Sequence, residues 1–185
     1  MNQTLSLIAS RRSHRAYEKT PLTREQLDAL LQAAVQSPSG LNNQPWHFTA
    51  VMDQDLLEEI NRATRENAMK RDASQRSPRF ADDAFQVFYH APAVIFISGD
   101  PDSFWTRIDC GIAVENIALA AESMGLGSVI LGLPREAFQT EKAPYFREKL
   151  CFPAGWDFVI AIAVGTPADD KPAHAVKENK ITIME

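Results

Sequence analysis

The chain has 185 residues, 45% hydrophobic and 23% charged, a composition that suits one soluble globular domain and excludes disordered, collagen-like and coiled-coil chains. Nineteen Lys and Arg against 24 Asp and Glu leave a formal net charge of −5, so no global basic field would gather nucleic acid or an anionic membrane. Any anion must be held locally.

Thr4 to Arg11 carries Leu5, Ile8 and Ala9 at helical spacing and runs into a basic knot, Arg11-Arg12-Ser13-His14-Arg15. Thr23 and Gln26 form a capping box, Leu22 and Leu27 a hydrophobic staple, and Leu27, Leu30, Leu31 and Ala34 the buried stripe of a second helix. Ser37-Pro38-Ser39-Gly40 ends it. His47–Val51 alternates like a strand, and Leu56, Leu57, Ile60 and Ala63 recur like a helix. Residues 66–82 are dense in charge with little periodicity, and are expected to be a mobile flap. Ala93–Ile97 reads as a central strand, and 105–124 as a largely buried helix closed by Gly125. Ser128–Leu131 and Phe158–Val164 supply further strands. The interleaving predicts a single layered domain of α/β type spanning 1–185, with a polar tail over 168–185 whose Ile181-Thr182-Ile183 could add a strand to a second subunit.

Cys110 and Cys151 have no Cys or His neighbour at metal-ligand spacing, which excludes a disulfide framework and argues against zinc. The start of the chain reverses the basic-then-apolar order of a signal peptide, and no apolar run nears the ~18–20 residues of a membrane span. The expectation is a cytoplasmic protein. No nucleophile elbow, Walker loop or His-Glu-x-x-His is present. Gly125-Leu126-Gly127 lacks the third glycine of a dinucleotide fingerprint and runs from helix into strand, the wrong order.

Two segments can carry chemistry. In the knot, guanidinium forks and the Ser13 hydroxyl could converge on a small dianion, since bidentate Arg–phosphate pairs are strong and directional; the same pattern also suits a solvated helix end. Pro38-Ser39-Gly40-Leu41-Asn42-Asn43-Gln44-Pro45-Trp46 offers a stiffened loop with three primary amides, fitted to a heterocycle with mixed donor and acceptor edges or to an ordinary turn.

These segments resemble the FMN-dependent nitroreductases. The knot is similar to that family's N-terminal phosphate motif, Ser37–Phe48 to its flavin loop, Asp109–Ser128 to its central helix and following turn, and Val164-Gly165-Thr166-Pro167 to the end of its last core strand. The resemblance implies an α+β fold, a three-layer α-β-α sandwich with a central mixed sheet. It also implies a homodimer with an exchanged C-terminal tail, FMN as cofactor and NADH or NADPH as electron donor. Carried over residue by residue, it puts Arg11, Arg12, Ser13 and Arg15 on the FMN phosphate and ribityl chain. Pro38, Ser39, Gly40, Asn42 and Gln44 would line the flavin from the partner subunit, with Leu131 and Gly132 near its reactive nitrogen and Asn67 on the ring. Lys177, or else His174, would add a cation at the phosphate. With the flavin carrying the redox chemistry, no catalytic side chain is required. Asp109 and Asn116 then read as supporting residues. The acceptor would be a small molecule such as a nitroaromatic or quinone; the alternative is a flavin-binding or redox-sensing dimer without significant turnover.

Overall fold

The computed structural model describes residues 2–173 and 175–185. Helix α1 (Gln3–Ser10) starts on Asn2, whose side chain accepts from the Leu5 N–H. Its apolar residues Leu5 and Ile8 are about half exposed, so the stripe that marks this helix faces outward on the single chain. Helix α2 (Arg24–Val35) opens with the capping box read from the sequence, and both staple leucines, Leu22 and Leu27, are buried.

Strand β1 (Trp46–Val51), helix α3 (Gln54–Met69), strand β2 (Ala93–Gly99), helix α4 (Thr106–Ser123), strand β3 (Gly127–Leu131), helix α5 (Ala143–Lys149) and strand β4 (Asp157–Gly165) follow. The sheet runs β1-β2-β4-β3. Side chains alternate across it with period two. Val94, Phe96, Val129, Leu131, Ala161 and Ala163 pack beneath α3, α5 and the irregular segments around Phe80 and Phe138. Ala93, Ile95, Ile97, Ile162 and Val164 pack beneath α2 and α4. Helices therefore cover both faces, and the α-β-α layering expected from the sequence is present.

The sheet differs from expectation in one respect: every strand pairing is antiparallel rather than mixed. The β2-α4-β3 crossover leaves β2 and β3 running the same way, but β4 slots between them and pairs antiparallel with both. Among the described residues the parallel pairing is a lone bridge, Ser13 to Ser128.

Residues 66–82 divide. The first four belong to α3, whose Asp53 cap and apolar face carry it to Met69, and Phe80 sits in the core at 1% exposure. A 3₁₀ turn at Leu133–Gln139 and helix α5 were not anticipated. Between them they deliver Phe138, stacked on Phe158 at 4.9 Å. Among the described residues the tail beyond Pro167 forms no strand within this chain, and Val176, Ile181, Ile183 and Met184 are exposed.

Candidate functional site

Past α1 the chain straightens and lies along the free edge of β3. The Ser13 bridge and the bond from the His14 N–H to the Ser128 carbonyl (2.9 Å) fix its register. Tyr17 bridges Pro167, Glu18 donates to the Thr166 carbonyl, and Ala168 donates to the Ala16 carbonyl. The strap can approach this closely because residue 127 is glycine: a Cβ there would stand 2.9 Å from both the His14 ring and Pro167. The Gly125-Leu126-Gly127 run thus has two structural tasks. Gly125 ends α4 at φ +71°, a left-handed position, and Gly127 makes room.

The strap holds the basic knot half-buried. Arg11 pairs with Glu115 of α4 at 3.3 Å, and Arg12 folds back to donate to the carbonyls of Ala9 and Arg11, each at 2.8 Å. Arg15 reaches only the Ser13 carbonyl, at 3.4 Å. The Nε–H groups of Arg12 and Arg15 are both buried and have no partner. Buried donors are almost always satisfied in folded proteins, and leaving one unpaired costs about 1–3 kcal/mol, more where it is charged. Two such donors, three residues apart in the chain, leave room for an anionic partner.

Asp169 supports this arrangement from the segment after β4. One carboxylate oxygen lies 2.7 Å from His14 Nδ1, and the other accepts from the Arg15 backbone N–H at 3.0 Å and pairs with Lys171 at 3.0 Å. Burial opposes its ionisation, but these three groups outweigh burial and hold the carboxyl at about 2. Beneath it the Tyr17 hydroxyl donates to the His14 carbonyl at 2.9 Å. Burial first, and then the Asp169 charge, push that phenol well above its ordinary range. Tyr17 is a structural donor, not an acid.

The loop at 38–44 is fastened to α4. Asn116 Nδ2 donates to Ser37 Oγ at 2.8 Å, the Gly40 N–H donates to the Asp109 carboxylate at 3.3 Å, and Trp105 lies against Gly40. Within the loop, the Gln44 N–H donates to Ser39 Oγ and its side chain to Asn42 Oδ1. Leu41, Asn42 and Gln44 all hold positive φ near +50°, an uncommon state for these residue types. Fixed this way, the loop presents Leu41 at 94% exposure, together with Asn42, Asn43 and Gln44, to the outside. Asp109 and Asn116 are supports, as their spacing suggested. The loop and the knot both fasten to α4, the knot through Glu115 and the loop through Asp109 and Asn116.

At the far end of β3, Leu131 is buried while Gly132 is open, with nothing within 4 Å of where its Cβ would stand. The turn after it brings Glu136 against Asn67 of α3 (2.9 Å) and Arg71 (3.0 Å). Asn67 and Gly132 therefore belong to one corner, separated from the knot by the five residues of β3, about 13 Å of strand. Lys177 is exposed and has no hydrogen-bond or ion-pair partner among the described residues; His174 lies outside them. Three participants, Asp169, Glu136 and Lys171, escaped the sequence reading: Asp169 and Glu136 act through partners distant in the chain, Lys171 acts through Asp169, and no local spacing marks them. Neither cysteine is a candidate nucleophile, since burial pushes the Cys110 thiol up to about 12 and Cys151 lies outside this arrangement. Among the described residues no group of His, Cys, Asp and Glu could hold a metal ion, and no helix is long and apolar enough to cross a membrane.

Comparison with known proteins gives this geometry its context. The family model described as "Nitroreductase family" matches residues 8–166. A nitroreductase from Desulfitobacterium hafniense, solved with bound FMN, superposes with a TM-score of 0.95 at 33% identity over 100% of both chains. The Bacillus subtilis FMN reductase [NAD(P)H] is 28% identical over 91% of this chain and 68% of its own length. An iodotyrosine deiodinase from Thermotoga neapolitana is 28% identical over 96% of each.

Proposed function

The chain belongs to the nitroreductase family, and on that footing we propose that it binds FMN and acts as an oxidoreductase, taking electrons from NADH or NADPH and passing them to an electron-poor small molecule such as a nitroaromatic or a quinone. The observation that carries this reading is the pair of buried, partnerless Nε–H groups on Arg12 and Arg15. A phosphate dianion satisfies both, and the fixed guanidinium fork suits it better than a point cation would. FMN, when bound, supplies the hydride and electron chemistry.

The work of the chain is then to bind, orient and shield. Arg11, Arg12, Ser13 and Arg15 hold the phosphate, with Lys177 as a further cation from the tail. The open backbone at Gly132 and the side chain of Asn67 face the ring. Pro38, Ser39, Gly40, Asn42 and Gln44 serve the flavin of a partner subunit, which makes the functional unit a homodimer. Two features support that assembly: the loop amides Asn42, Asn43 and Gln44 are exposed, and α1 and α4 expose Leu5, Ile8, Ile108 and Ile112. Exposed apolar side chains on neighbouring helices are the usual mark of an interface.

The test is the purified protein's colour. A yellow dimer should bleach anaerobically with NADH or NADPH and regain its absorbance on addition of menadione, a nitroaromatic or a halogenated phenol, and the order of rates would identify the acceptor class. A yellow protein that never bleaches would favour a flavin-binding dimer without turnover. A colourless one that takes up no FMN would refute the reading. Arg15→Ala removes a charge-assisted partner of the phosphate and should weaken FMN binding roughly 10- to 150-fold with an unchanged far-UV circular dichroism spectrum.

A further inference from the structure

Glu136 is a buried acid that no step above requires. It lies in the turn after β3, four residues beyond Gly132, with its side chain 12% exposed. Its Oε2 takes two donors, Asn67 Nδ2 at 2.9 Å and the Arg71 guanidinium at 3.0 Å, and the same guanidinium donates to Gln139 Oε1. One carboxylate therefore ties the last turn of α3 to the segment that follows Gly132.

That contact has a polarity. A carboxylate paired with a guanidinium only accepts hydrogen bonds, so the Asn67 amide must turn its NH2 toward Glu136. Its Oδ1 is left facing away from the acid, with no partner among the described residues. An asparagine alone can offer either edge, because rotation about χ2 exchanges donor and acceptor at little cost. Beside Glu136 it can offer one.

We infer that Glu136 is a positioning residue that locks Asn67 with its carbonyl oxygen toward the cofactor, so that this corner accepts a hydrogen bond from the ring rather than donating one. The oxidised isoalloxazine rim has a single N–H among several acceptors, so a fixed acceptor selects one orientation of the ring where a freely rotating amide would tolerate several. The inference rests on the reading of Asn67 as a ring contact.

The experiment is a double-mutant cycle on the holoprotein, with FMN affinity read by fluorescence quenching, the flavin midpoint potential by dye equilibration, and Tm for each variant. Glu136→Gln keeps shape and lets the Asn67 amide turn over. It should weaken FMN binding about five-fold, the size of one neutral hydrogen bond, and shift the potential. In an Asn67→Ala background the same change should have no further effect on either. The swap Asn67→Asp/Glu136→Gln reverses the donor of the pair while keeping an oxygen toward the ring, so it should recover most of the affinity; it also serves if Glu136→Gln alone folds poorly. Equal losses in both backgrounds, no loss in the wild-type background, or a swap no better than Glu136→Gln would each overturn the inference. An Asn67→Ala variant that binds FMN as the wild type does would overturn it while leaving the functional reading standing. Failure of the wild type to take up FMN would bring down both.

Discussion

Replacing Asp169 by Asn tests the strap on which the proposed anion site is built. The carboxylate receives the Arg15 backbone N–H, the His14 ring and the Lys171 ammonium, and is 17% exposed. Its pKa falls from 3.8 to about 2 on folding. A displacement of that size corresponds to about 2 kcal/mol in favour of the folded state. Because the folded-state value lies below that of the unfolded chain, the contribution is fully present at neutral pH and is lost as pH falls from about 4 toward 2. Asn retains the shape but not the charge. Urea denaturation should therefore find Asp169→Asn less stable than the wild type by about 2 kcal/mol at pH 7 and by about half of that at pH 3. FMN should also dissociate faster at pH 7, because an amide oxygen anchors the Arg15 backbone N–H more weakly than a carboxylate does. A stability gap that stays constant from pH 7 to pH 3 would show that the ionised carboxylate is not the source of the effect. No gap at all would show that the strap is held by its backbone pairing alone.

Other perturbations follow from the same geometry. Gly127→Ala places a methyl 2.9 Å from both the His14 ring and Pro167; it should cost about 1–3 kcal/mol by overpacking, seen as a lowered Tm together with reduced flavin content. Phe80→Ala empties a site that is 1% exposed and should cost about 3–5 kcal/mol in chemical denaturation, whereas a segment that only covers the cleft would lose almost nothing. Asn116→Ala deletes the 2.8 Å bond to Ser37 Oγ, worth about 1 kcal/mol, and should accelerate limited proteolysis within residues 38–44 while lowering global stability by no more than that amount.

What could be read in advance was whatever the chain states locally. The Thr23–Gln26 box, the unbroken apolar run of β2 and the glycine closing α4 each involve neighbours in sequence, and each stands where the pattern put it. The knot and the amide loop were visible as compositions, three arginines around a serine and three amides between prolines. Charge obscured the end of α3: Arg65, Glu66 and Lys70 hide the face that Ala63, Thr64 and Ala68 bury. The segment after β3 was missed because its turn carries no periodicity, although Phe138, Phe146 and Phe152 make it a core element. Strand order was beyond reach, since the insertion of β4 between β2 and β3 is decided by pairings 58 to 71 residues apart with β2 and 30 to 38 apart with β3. Asp169 and Glu136 could not be singled out among 24 acidic residues, because what distinguishes them is the company they keep after folding.

The joining of His14 to Asp169 spans 155 positions of sequence, and that span sets an order of events during synthesis. As the polypeptide leaves the ribosome, residues 11–17 emerge early but find neither β3 nor the segment after β4 to lie against. Only when residue 169 has cleared the exit tunnel can the strap be pinned from both sides. Contacts of such long range close late, since loop entropy must be overcome before they are rewarded. The arginines therefore wait exposed through most of translation, and a nascent chain halted before Pro167 would present a layered core without a seat for an anion. If the knot holds FMN as proposed, cofactor loading would follow the emergence of residue 169, and free FMN would act on the last step of folding rather than guide the earlier ones.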